Sequence, residues 1–157
     1  MNLLDFDTII LDLDNTIWHG NKPGIWAKTI GHNWTLSDDI IHGEGNFIKF
    51  DKEIAPILEN KLQNKNLGFL TRGGLLNTLW EDQPVIRCLK FFGIYNFFKY
   101  HSYVLYMTDL KSRVFVPSGK TIFIDDDPRD LQDISNNYPD VTCLNRNTFN
   151  KWTEIIN

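Results

Sequence analysis

Cysteine is almost absent from this chain: Cys88 and Cys143 are the whole complement, far apart in 157 residues. Two distant thiols build no disulfide framework, and without a short Cys/His spacing they suggest no zinc site. Both read as buried, reduced thiols. A long uncharged apolar run is missing too, and the opening residues MNLLDFD carry two acids, so neither a membrane span nor a leader is expected. The expectation is a soluble, cytoplasmic protein with no membrane partner. Excess positive charge is also lacking, because 16 Lys and Arg face 20 Asp and Glu, giving −4 with no basic stripe. That disfavours extended nucleic-acid binding, although a nucleotide end remains admissible as a substrate. Repeats and low-complexity tracts do not occur. What is abundant is apolar and aromatic material, 42% of residues with eleven Phe and five Trp, enough for the core of one domain over residues 1–157.

Along the chain, residues 8–11 (TIIL) form a short apolar run ending in Asp12 and Asp14, the pattern of a buried strand whose carboxyl end meets solvent. From Trp18 to Phe50 the periodicity fades, which predicts an irregular flap, with room for a hairpin, over the strand ends. Residues 51–64 carry Ile54, Ile57, Leu58 and Leu62 at helical spacing behind Asp51 as a cap. A strand over 67–71 leads into a turn at Arg72, Gly73 and Gly74, then a helix over 83–92, and a strand over 100–106. After a polar connection holding Lys111, residues 121–124 (TIFI) repeat the opening pattern and run into Asp125, Asp126 and Asp127. A helix over 128–137, a strand over 141–144 and a last helix over 147–156 complete the reading. Strand and helix alternate, so the fold class is α/β: a three-layer, Rossmann-like parallel sheet flanked by helices, with a small flap in place of a cap domain.

Two apolar strands that end in acids would lie side by side in such a sheet and bring Asp12, Asp14 and the 125–127 group together. Carboxylates so close repel one another, and a hard divalent cation offsets the repulsion. An oxygen-only ligand set with room for water and a phosphate oxygen suits Mg²⁺. Phosphoryl transfer then needs a nucleophile, positive charge on the equatorial oxygens and a proton donor for the leaving group.

The residues also carry a family resemblance. Asp12-Leu13-Asp14-Asn15-Thr16 behind an apolar strand resembles the first signature of the haloacid dehalogenase superfamily. Thr71 resembles the second, Lys111 the third, and Ile124-Asp125-Asp126-Asp127 the fourth, in the correct order across residues 8–130. Within the superfamily the likeness is to magnesium-dependent phosphatases with a minimal cap. It rests on residues 12–18 (DLDNTIW), Thr71-Arg72, residues 89–98 (LKFFGIYNFF) and the double acid after Phe123-Ile124. The resemblance implies an aspartyl-phosphate on Asp12 and Asp14 as general acid, then base. Thr71 and Lys111 would hold phosphoryl oxygens, and Asp12, the Asp14 backbone carbonyl, Asp125 and Asp126 would hold Mg²⁺. Arg72 either contacts a second anionic group or pairs at the surface. The stretch between Lys111 and Asp125 is shorter than the family pattern, which leaves Lys120 as a rival lysine.

The function so implied is an Mg²⁺-dependent phosphomonoesterase acting on a small phosphorylated metabolite or a phosphoprotein. Alternatives are a glyceryl or acyl phosphate transferase, which residues 13–20 and 123–128 also resemble, a nucleic-acid end phosphatase, and a non-catalytic phosphate-binding module. An EF-hand loop fails, because its sixth position is Ile17 and its twelfth Pro23. A receiver domain orders its acids, Thr and Lys differently. Asp127 reads as a helix cap and Thr16 as a turn residue. His19, His32 and His42 read as polar loop residues, and Trp26 and Trp34 either stack on a substrate or anchor the flap. Oligomeric state is not legible.

Overall fold

The computed structural model describes residues 1–30 and 33–156. In chain order the regular elements are β1 (Thr8–Leu11), β2 (Trp18–Gly20), β3 (Thr35–Ser37), β4 (Ile40–Gly43), β5 (Asn46–Phe50) and α1 (Ile54–Asn60). There follow β6 (Asn66–Arg72), α2 (Pro84–Phe91), β7 (Tyr103–Leu105), β8 (Thr121–Asp125), α3 (Pro128–Asn137) and β9 (Thr142–Asn145).

Five strands form a parallel sheet in the order β7-β6-β1-β8-β9. Counted along the chain this is 3-2-1-4-5, so successive crossovers leave β1 first toward one edge and then toward the other. The pleat sorts side chains onto two faces. Ile9, Leu11, Phe69, Ile122 and Ile124 face α1 and α2, where Ile54, Leu58, Val85 and Leu89 meet them, together with Trp152. Ile10, Leu70 and Phe123 face Ile134 of α3. Three layers result, with the reversal point at the carboxyl ends of β1 and β8, where open α/β sheets place their ligand crevice.

Four expectations are corrected. The flap is not irregular: β2, β5, β4 and β3 form an antiparallel sheet. Its β4–β5 turn is Glu44-Gly45, both at positive φ (50° and 77°), a two-residue geometry that matches strand twist and that glycine adopts without strain. Ile41 and Ile48 point inward and join the main core, so the flap is packed down on the sheet. The sequence hides this because its strands are short and flanked by polar residues. Helix α1 begins at Ile54, two residues later than the Asp51 cap implied, since Asp51 instead forms a turn that accepts from the Glu53 and Ile54 amides. The last helix is two short 3₁₀ turns, Arg146–Thr148 and Trp152–Ile155. Buried Arg146 donates to the Phe149 carbonyl at 2.8 Å, and Phe149 itself is extended, which interrupts any continuous helix. Cys88 is buried as expected, but Cys143 is half-buried. No helix among the described residues is long and apolar enough to cross a membrane.

Candidate active site

The two acidic strand ends do converge. Asp12 follows β1 directly, and its amide still donates to the Ile124 carbonyl at 2.8 Å, so it remains laddered to β8. Asp125 is the last residue of β8, and Thr71 sits near the end of β6 on the other side of β1. Asp12, Thr71 and Asp125 are 5%, 0% and 1% exposed. All three, with Asp14, Arg72, Lys111 and Asp126, line one cavity of about 200 Å³.

Lys111 enters from a 3₁₀ turn that is bolted to α3: the Ser112 amide and hydroxyl donate to Asp133 at 2.9 and 2.8 Å. Lys111 is 1% exposed, and its ammonium donates to Asp12 Oδ1 at 2.7 Å and Asp125 Oδ2 at 2.6 Å, and lies 3.3 Å from Asp130 Oδ2. Burial pulls the Lys111 pKa down, but the charges of Asp12, Asp125 and Asp130 more than reverse this and hold it raised. Lys120 lies beyond the opposite end of β8, with its ammonium over Phe6, and so is not the site lysine.

The turn after β1 brings the chain back over the site. Asn15 takes a positive φ of 60°, its amide donates to the Trp18 carbonyl, and the Thr16 hydroxyl reaches Asp12 Oδ2 at 3.4 Å. Among the described residues, Asp14 is anchored at one oxygen only. Oδ1 accepts from the Trp18 indole at 2.7 Å and from the Ala27 amide at 2.9 Å. Oδ2 faces Gly73, where a Cβ would come within 3.8 Å of it. Gly73 has φ +110°, a conformation that glycine holds without strain while its amide donates to the Leu105 carbonyl.

Negative charge exceeds what one lysine neutralises. Burial lifts Asp12, Asp14 and Asp126 to about 6 and Asp125 to about 7, with neighbouring carboxylates adding to the rise. Asp12, Asp125 and Asp126 each offer one oxygen within 4.8 Å of the others. Such an all-carboxylate set, short of positive charge, fits a hard divalent cation. The Asp14 carboxylate stands outside that group. A carboxylate with a raised folded-state pKa adds stability below its ordinary value near 4 and loses it as pH climbs through the raised value. The cation-free protein is therefore expected to melt progressively lower from about pH 4 to about pH 7, and added divalent cation to reverse the fall. Thermal melts across pH with chelator and with Mg²⁺ check this; a flat profile in chelator would sink it.

Arg72 lines the cavity with its charge engaged, by Asp130 at 2.6 Å and by the Asp109 carbonyl at 3.2 Å. Asp127 caps α3 through the Arg129 amide at 2.9 Å. Trp34 stacks on Arg87 of α2 at 4.1 Å, an anchor, whereas Trp26 lines the cavity. His19 and His42 do not line it, and His32 lies outside the described residues. Sequence reasoning missed Asp130, which reads as an ordinary acid in the first turn of a helix, and Lys28, which carries no motif.

Comparison with family models, with curated proteins and with solved structures finds no match for this chain.

Proposed function

We propose that this chain is an Mg²⁺-dependent phosphomonoesterase that works through an aspartyl-phosphate on Asp12, in the manner of the haloacid dehalogenase phosphatases it resembles. The observation that supports the reading best is the Lys111 ammonium held between Asp12 and Asp125 at the reversal point of the sheet, with Thr71 on the same cavity wall. Asp12, Asp125 and Asp126 would hold the cation through their side chains, with the Asp14 backbone carbonyl added by resemblance. When bound, it supplies charge neutralisation and a fixed seat for a phosphoryl oxygen.

The chain's own residues account for the remaining roles. A carboxylate oxygen of Asp12 attacks phosphorus, and the P–O bond to the leaving group breaks. Lys111 and the Thr71 hydroxyl meet the equatorial oxygens with positive charge and a donor. Asp14, raised to about 6 by burial, retains a fraction of its protons near neutrality and delivers one from Oδ2 to the leaving oxygen. It then takes a proton from the water that attacks phosphorus and frees Asp12. The Trp18 indole holds the acid in place and lowers its pKa against burial.

Purified protein with Mg²⁺ and p-nitrophenyl phosphate is expected to release phosphate, and chelator to stop it; absence of turnover on any phosphomonoester would overturn the reading. Trp18→Phe keeps a ring against Phe92 but removes the N–H. It is expected to raise the Asp14 pKa and move the alkaline limb of kcat/KM to higher pH. An unchanged profile removes Asp14 from the role of acid.

A further inference from the structure

Six aspartates line the cavity: Asp12, Asp14, Asp125, Asp126, Asp127 and Asp130. Three of its four cations are paired with one or more of them. Lys111 meets Asp12, Asp125 and Asp130, Arg72 meets Asp130, and Arg129 meets Asp127. The fourth, Lys28, is half-buried on the flap wall and, among the described residues, makes no ion pair. Its one recorded partner is the Trp26 ring, with the ammonium 5.3 Å from the ring centroid. An aromatic face steadies an ammonium while leaving its N–H donors open to an anion.

The backbone beside this lysine is also anchored at the site. Lys28 sits one residue after Ala27, whose amide is tied to Asp14 Oδ1. Its Cδ lies 3.9 Å from the point where a Gly73 Cβ would stand, and Asp14 Oδ2 lies 3.8 Å from the same point. Lys28 therefore shares the Gly73 side of the cavity with the acid oxygen that would serve the leaving group. A phosphoryl group seated against Asp12 and Lys111 with its ester oxygen at Asp14 Oδ2 would bring the atoms beyond that oxygen to the wall that Lys28 and Gly73 share.

From this arrangement we infer that Lys28 is a specificity residue for a second anionic group, a carboxylate or a further phosphate, carried by the leaving group a few bonds beyond the ester oxygen. The inference deepens the phosphomonoesterase reading and rests on it for the orientation of the substrate. It also relocates the contact to a second anion, which the sequence offered to Arg72: the Arg72 guanidinium is already neutralised by Asp130.

The test is equilibrium binding of phosphonates, which needs no turnover. With Mg²⁺ present, 3-phosphonopropionate, propane-1,3-diphosphonate and propylphosphonate are titrated calorimetrically against the wild type, Lys28→Met and Lys28→Arg. One or both of the doubly anionic ligands are expected to bind about tenfold tighter than propylphosphonate, the scale of one charge-assisted contact at a half-exposed site. Lys28→Met brings the ratio close to one, and Lys28→Arg retains it. Equal binding by the wild type overturns the inference, as does failure of all three phosphonates to bind. A preference that survives in Lys28→Met belongs to the metal cluster and also overturns it. Hydrolysis of p-nitrophenyl phosphate, read in parallel, separates the two claims. Turnover without the preference sinks the subsite alone. A Lys28-dependent preference in a protein that hydrolyses no phosphomonoester leaves the anion site standing and sinks the phosphatase.

Discussion

Asp12→Asn is expected to lower phosphate release by about 10⁴-fold or more while leaving the cation-free protein more heat-resistant at neutral pH. The first effect follows from the role proposed for Asp12 as nucleophile, because an amide oxygen does not form the acyl phosphate and residual binding groups recover little of the rate. The second follows from burial. Asp12 is lifted to about 6, so at neutral pH the native state holds a carboxylate that it would rather keep protonated. Asparagine is near-isosteric and uncharged, and it leaves Lys111 with Asp125 and Asp130 as partners. Turnover and melting temperature should therefore move in opposite directions, a pairing that simple misfolding does not produce. Turnover that survives the substitution would remove Asp12 from the mechanism.

Lys111→Met is expected to damage both properties together. The substitution withdraws the one ammonium that touches Asp12 and Asp125 and leaves these and Asp130 facing one another inside the protein. Removing one partner of a buried charge cluster costs about 3–5 kcal/mol, which for a chain of this length is a fall in melting temperature of about 10 °C or more. The loss should deepen as pH rises, since protonation relieves Asp12 and Asp125 in acid, and Mg²⁺ should restore part of it. Turnover should fall by about 10²–10³-fold even where Mg²⁺ restores folding, because a preorganised charge on the phosphoryl oxygens has gone. Melts from pH 5 to 8, with and without Mg²⁺, alongside kcat on folded protein, check both parts. A variant as stable as the wild type at pH 8 without Mg²⁺ contradicts the role given to this lysine.

The parallel sheet was legible because each of its longer strands is a compact apolar run with a charged or turn-forming end, and such runs have few other ways to be buried. Asp12 and Asp125 announced themselves by standing at the ends of two such runs. Lys111 was legible only through the order of motifs, since a lone lysine in a polar connection carries no periodic signal; the structure separates it from Lys120 by placing the two at opposite ends of β8. The flap sheet was not legible. Its strands span three to five residues, too few for alternation to stand out from the surrounding polar turns. Asp130 and Lys28 escaped for a different reason. What sets them apart lies in neighbours distant in sequence, Asp130 engaging Arg72 and Lys111, and Lys28, without an ion pair among the described residues, lying beside Gly73.

The flap meets the chemistry through a short stretch only. The Trp18 indole and the Ala27 amide grip the same oxygen of Asp14, and among described flap residues only Trp26 and Lys28 reach the cavity wall. Lengthening the Glu44-Gly45 turn would thus alter the outline of the molecule without touching the contacts to Asp14. Inserting a single residue between Trp18 and Ala27 would throw the two grips out of phase. The spacing of that loop acts as a ruler for the Asp14 carboxylate, the proposed proton donor.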